Sequence, residues 1–328
     1  MTDPTPVAQH LLTRDQSFNA FTASRPPVLT VTAGAGDLIT FETDDAAYAQ
    51  MEQFRDLAQV TATINPITGP VYVEGAEPGD VLAVTIHDIE MAEHGWSISI
   101  PGAGALAEVM GPEFFVRRVP VTGGRVQLTD GLDCAAEPMI GCIGVAPAHR
   151  DGSTVMPTLS TGGNMDLTDA GPGSTVFLPV QVPGALLSIG DLHAVMARGE
   201  SSFVAIEIAG RATVSVDVVK NKTIRAPQLD TGEDYLCVGL GDPVQDSIVM
   251  AYESLFSVMV DEHGWDPGDA YVVMSALAHT ELGGPTGSRD PDPLHPFRAV
   301  GAVTLARIAK DVLHAAGRVP GELNLAEG

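Results

Sequence analysis

Ser174-Thr-Val-Phe-Leu-Pro-Val-Gln-Val-Pro183, followed at once by Gly184-Ala-Leu-Leu-Ser-Ile-Gly-Asp-Leu-His-Ala194, decides the fold of this chain. The first segment is apolar, β-branched and punctuated by Pro, the second is apolar with Leu, Ile and Gly, and both read as buried strands rather than helices. The second carries Asp191 and His193 at i, i+2, so in extended backbone both side chains face one site while Leu192 anchors the other face. Upstream, Gly162-Gly163-Asn164-Met165-Asp166 repeats that spacing with Asn164 and Asp166. Downstream, Glu200 follows a glycine, and Glu207 sits between Ile206 and Ile208 in a further β run. A buried strand tolerates carboxylates only when a hydrogen-bond network or a metal ion pairs with them. The chemistry is therefore expected within Ser160–Glu207. Asp, His and Glu together offer oxygen and nitrogen donors suited to zinc or a similar divalent ion.

Composition extends the β reading to the whole chain. The 328 residues hold 35 Gly and 24 Pro, with 45% hydrophobic but only 5% aromatic residues. That composition favours many short strands around an aliphatic core, in two lobes (about 1–220 β-rich and 221–328 α+β). A formal charge of −25 disfavours nucleic acid and anionic membrane as partners and fits a small neutral or cationic substrate. Cys134, Cys142 and Cys237 lack zinc-type spacing and are odd in number, pointing to a reducing, cytoplasmic location. The polar opening MTDPTPVAQH does not read as a signal peptide, and no apolar stretch approaches the roughly 20 residues of a spanning helix.

Elsewhere the sequence is informative in patches. Asn65-Pro-Ile-Thr-Gly-Pro70 leads into a short strand ending at Glu74, the residue of this region with catalytic potential. Pro78-Gly79-Asp80 then turns into Val81–His87, where Leu82, Val84 and Ile86 share a face. Glu42, Asp44 and His94 read more simply as a turn acid, a helix cap and a structural histidine. Pro138-Met-Ile-Gly-Cys-Ile-Gly-Val-Ala-Pro147 is expected to be a fully buried strand, in which Cys142 behaves as a small hydrophobe rather than a nucleophile. Apolar spacing predicts packing helices over Leu240–His263, Ala270–His279 and Val300–Ala316, with His279 at a helix end.

Four of these motifs, in this order along the chain, resemble the acetamidase/formamidase family. They are Asn65 through Asp80, Ile140–Pro147, Gly162–Asp166 and Gly184–Ala194, within a likeness that covers roughly residues 10 to 280. The resemblance implies a mainly β fold with an α+β portion, a jelly-roll-like β-sandwich core carrying C-terminal packing helices. It also implies hydrolysis of small linear amides to carboxylate and ammonia, and a single domain over 1–328. A divalent metal is implied, zinc first and calcium second, held by Asp166, Asp191 and His193. Glu74, Glu200 and Asn164 fall to catalytic roles, with Glu74 or Glu200 as the proton shuttle. A homo-oligomer is implied too, a dimer being the expected form. The alternatives are hydrolysis of a carbamate, formyl-amine or larger amide, or a non-catalytic binding protein on the same fold.

Overall fold

The computed structural model describes residues 8–155, 158–241, 243–284 and 302–316. Two large sheets face each other, and alternation along their strands dictates which side chains meet. Val81–Met91 lies inside the first sheet, paired along its length with Gly210–Val219 and on its other edge with Thr175–Pro179. In sheet order the described strands are Gln9–Leu12, Leu38–Glu42, Gly210–Val219, Val81–Met91, Thr175–Pro179, Gln228–Asp230, Asp234–Gly241, Ala302–Ala309 and His279–Gly283. The second sheet centres on Ala185–His193, which pairs with Met139–Gly144 on one edge. Its other edge is shared by Ile67–Glu74 and the two-residue strand Glu207–Ile208.

Leu82, Val84 and Ile86 from the first sheet meet Ile140, Ile143, Leu187, Ile189 and Leu192 from the second in one aliphatic core. Each such side chain contributes about 1.5–3 kcal/mol by leaving water. Met139–Gly144 is buried at every position, as its glycine-punctuated apolar run predicts. The mainly β sandwich with added helices is therefore the architecture observed.

Helices toward the C-terminus cover the outer face of the first sheet. Val244–Ser257 continues through one π-type turn, Val258–Glu262, and Pro267–Leu277 follows. Asp266 caps that last helix by accepting from the Gly268 and Asp269 amides. Gly239 and Gly241 let the first helix lie directly on its strand, because a Cβ at either would strike the backbone at Ser247.

Three sequence expectations need correction here. The first packing helix begins at Val244, because Leu240 and Gly241 still belong to strand Asp234–Gly241. The second ends at Leu277, and His279 opens a strand instead of closing a helix. Most consequentially, the described part of Val300–Ala316 is strand Ala302–Ala309 followed by the short helix Lys310–Leu313. Val303 and Leu305 point into the sandwich core, while Ala306 and Ile308 meet the helices. A strand buried on both faces loses the alternation that would distinguish it from a helix. No helix among the described residues is long and apolar enough to cross a membrane.

Candidate metal and catalytic site

Strand pairing assembles the site. His193 stands opposite Glu207 in the antiparallel pair between Ala185–His193 and Glu207–Ile208. Across the other edge, Met139 faces His193 and Cys142 faces Gly190. Cys142 is also the partner of Asn164, at the end of the short strand Gly162–Asn164. The chain then turns, and the Met165 and Asp166 amides both donate to the Gly141 carbonyl, at 3.1 and 3.2 Å. Asp166 and Asp191 thereby converge over Gly141, where a Cβ would lie 2.5 Å from Asp166 Oδ1 and 2.5 Å from Asp191 Oδ2. Glycine is required there because two carboxylates occupy the space of its side chain.

His193 Nε2 lies 3.2 Å from Glu207 Oε1, 3.5 Å from Asp191 Oδ1 and 3.8 Å from Asp166 Oδ1. Glu200 joins from the loop between the strands: His193, Glu200 and Glu207 offer ligand atoms within 4.8 Å of one another, as do Asp166, Asp191 and His193. Asp166 and His193 are each only 1% exposed, Glu200 5%. Three of these acids hold positive φ: 45° at Asp166, 59° at Asp191 and 39° at Glu200. Left-handed backbone at a non-glycine residue costs about 1–3 kcal/mol and collects at functional sites.

The electrostatics are those of a buried acidic group that could hold a cation. Burial pushes the Asp166 carboxyl well above the usual carboxylate range, and the Asp191 charge pushes it further. Burial likewise raises Glu200, with Asp166 adding to it, and raises Glu207. Burial would raise Asp191 too, but the His193 charge and hydrogen bond hold it below its ordinary value. Burial disfavours imidazolium at His193, yet Glu207 and Asp191 outweigh it and lift the ring well above the usual histidine range. Even so, neither Asp166 oxygen nor His193 Nδ1 has a hydrogen-bond partner. Four buried carboxyls around one imidazole, with orphaned oxygens on Asp166, would all be ionised together only beside a further positive charge. The donor set of carboxylate oxygens and imidazole nitrogen fits a divalent metal ion.

Neighbouring side chains finish the wall. Tyr48, from helix Ala46–Phe54, donates its hydroxyl to Glu207 Oε2 at 3.0 Å, and the Ala205 amide donates to Oε1 at 3.1 Å. Asn65 donates from Nδ2 to the Thr154 carbonyl and to Asn164 Oδ1, while its own Oδ1 stays buried without a partner.

Asp166, Asp191, His193, Glu200 and Asn164 thus come together as one neighbourhood. Glu74 does not. It is exposed, accepts from Thr32 Oγ1 at 2.9 Å, and ends the strand whose other end, at Ile67, pairs beside the site with Gly190. At about 3.3 Å per residue the strand separates the two ends by roughly 20 Å. Cys142 is buried, its thiol raised well above the ordinary range by burial, so it serves as core. His94 packs edge-on against Trp96, and His279 is exposed. Sequence reading assigned no role to Tyr48, Asn65 or Gly141. Asn65 holds a left-handed φ of 49°, a conformation asparagine adopts more readily than most residues, and its partners Thr154 and Asn164 lie far along the chain. A cavity of about 1230 Å³ opens on the helical face beside Lys222, Gln228, Tyr252 and Glu262, and none of its lining residues belongs to this cluster.

Comparison with known proteins agrees with the sequence motifs. The model of the acetamidase/formamidase family matches residues 7–153 and 144–276. A protein of Schizosaccharomyces pombe named as a formamidase is 32% identical over 51% of this chain and 55% of its own length. An acetamidase of Mycolicibacterium smegmatis is 27% identical over 63% of this chain and 68% of its own. The chain thus spans little more than half the length of the first of these relatives. The crystal structure of a recombinant predicted acetamidase/formamidase from the thermophile Thermoanaerobacter tengcongensis superposes with a TM-score of 0.82 at 29% identity. That superposition covers 95% of this chain and 99% of the other.

Proposed function

Because this chain belongs to the acetamidase/formamidase family, we propose that its buried cluster hydrolyses the C–N bond of small linear amides, yielding a carboxylate and ammonia. The observation that carries the reading is the orphaned Asp166 carboxylate beside Asp191, His193, Glu200 and Glu207. Asp166, Asp191 and His193, with Glu207 closing the set, are the residues that would hold a divalent ion, zinc before calcium. When bound, such an ion supplies a Lewis acid that polarises a carbonyl and makes water acidic enough to attack near neutral pH.

The chain's own residues do the rest. Tyr48 and the Ala205 amide fix the Glu207 carboxylate, so its orientation is set before substrate arrives. Asn164 spends its oxygen on Asn65 and keeps its NH2 as the end that can donate to a substrate carbonyl. Glu200, made more basic than an ordinary carboxylate by burial, would be ionised once a divalent charge is held beside it, and in that form takes the proton of the attacking water. It returns that proton to nitrogen as the C–N bond breaks. Glu74 has no part in this, being exposed at the far end of its strand. We further propose a homo-oligomer, and a cytoplasmic location that the three free cysteines support.

The test is ammonia release from formamide, acetamide and propionamide, before and after chelation and with zinc or calcium restored. Release that vanishes on chelation and returns with metal is the expected result. Release that persists in metal-free protein, or its absence from metal-loaded protein with all three amides, would overturn the reading.

A further inference from the structure

The two loops that deliver Asp166 and Glu200 are tied to each other by a second set of charges. Three residues past Asp166, the Asp169 carboxylate receives both ends of the Arg198 guanidinium, Nη1 to Oδ2 at 2.7 Å and Nη2 to Oδ1 at 3.0 Å. Arg198 itself lies two residues before Glu200, inside the turn closed by the Glu200 amide donating to the Ala197 carbonyl. On its other side Asp169 accepts from Arg307 Nη2 at 2.6 Å, and Arg307 also holds Asp234 at 2.7 Å and Glu281 at 3.1 Å. Arg198 reaches the same Glu281 carboxylate at 3.1 Å. The Asp169 side chain is 8% exposed and Arg307 14%, so solvent screens the centre of the network little.

From this arrangement we infer that Asp169 and Arg198 are positioning residues for the cation site, clamping the Asp166 turn to the Glu200 turn and anchoring both, through Arg307, to the first sheet. This rests on the cation-dependent reading above. The physical argument is one of geometry. Asp166 and Glu200 come from separate loops with left-handed backbone at both residues, a conformation that persists only where surrounding contacts over-determine it. A bidentate guanidinium–carboxylate pair fixes distance and angle together, which a single point charge does not. Groups outside the ligand set that orient ligands typically change metal affinity about 10–100-fold when removed.

Arg198→Gln is the variant to make first, since Arg307 still neutralises Asp169 and the chain should fold. Arg198→Lys keeps the charge without the fork, and Arg225→Ala removes an exposed arginine that pairs with Glu253, away from the site. Zinc and calcium affinity would be read by calorimetric titration of the metal-stripped full chain, alongside its melting temperature. The expected result is a dissociation constant about tenfold weaker for Arg198→Gln and nearly as weak for Arg198→Lys, at an unchanged metal-free melting temperature, with Arg225→Ala like wild type. Affinities within twofold of wild type in both Arg198 variants would overturn the inference while leaving the amidase reading in place. Full rescue by lysine would overturn the clamp geometry in favour of charge alone. A wild-type chain that binds neither ion would remove both readings, and is told apart because the variants are not needed to see it.

Discussion

Asp166 and Asp169 lie three residues apart in one turn, both carboxylates are buried, and the protein treats them in opposite ways. Asp169 is met by two guanidiniums, whose hydrogen bonds overcome burial and hold its carboxyl below the usual range. Asp166 is met by other acids and one imidazole, with both oxygens left unpartnered and its carboxyl pushed up. A folded chain rarely leaves a buried carboxylate unsatisfied when a satisfied one stands beside it. The difference teaches which acids hold the structure together and which wait for something else.

The comparison breaks most visibly at catalysis. Glu200→Gln should lower kcat for amide hydrolysis about 10²–10⁴-fold while bound metal, measured by elemental analysis, stays stoichiometric. Full activity in that variant would move Glu200 out of the reacting group. Next in size is stability. Asp169→Asn, which takes the shared carboxylate from two arginines and leaves Arg198 with Glu281 and Arg307 with Glu281 and Asp234, should cost about 1–3 kcal/mol in urea unfolding. Asp166→Asn in metal-free protein should instead gain about 1–3 kcal/mol, by relieving an unsatisfied buried acid. Equal signs for the two substitutions would erase the distinction drawn here.

The same pair separates with pH. Asp166, raised in the fold, contributes stability that is fully present below the ordinary carboxylate value of about 4 and is lost as pH rises through its elevated one. Asp169, lowered in the fold, contributes stability present above that ordinary value and lost as pH falls through its depressed one. In metal-free protein, Asp166→Asn should therefore flatten the loss of stability on the neutral side of pH 4. A pH series of unfolding curves checks this, and an unchanged slope would count against it. The smallest expected effect is at Glu74, where Gln should leave stability within about 0.5 kcal/mol and turnover within twofold. A large loss of turnover there would return Glu74 to the site.

Much of this was legible beforehand, for identifiable reasons. Asp191 and His193 announce themselves because strand geometry has a period of two and the flanking run is too apolar to be anything but buried. Met139–Gly144 was readable for the same reason. Glu74 misled because a strand end says nothing about which end of the sheet holds the chemistry. Strand Ala302–Ala309 was hidden by burial on both faces, which makes its sequence as continuous as that of a core helix. Tyr48 reaches Glu207 across 159 positions of sequence, and Gly141 matters for what it lacks. Neither a distant partner nor an absent Cβ leaves a local pattern.

Arg307 has a further consequence for how the molecule comes into being. It sits on the last strand among the described residues and grips Asp169 from 138 positions away. During synthesis, Asp166, Asp191, His193, Glu200 and Glu207 all leave the ribosome on the order of a hundred residues before Arg307, and at about 5–20 residues per second that is a delay of roughly 5–30 seconds. On the clamp inferred above, ordering of the site trails its own translation, and the acidic cluster gains its full set of supporting contacts only once Arg307 has been made.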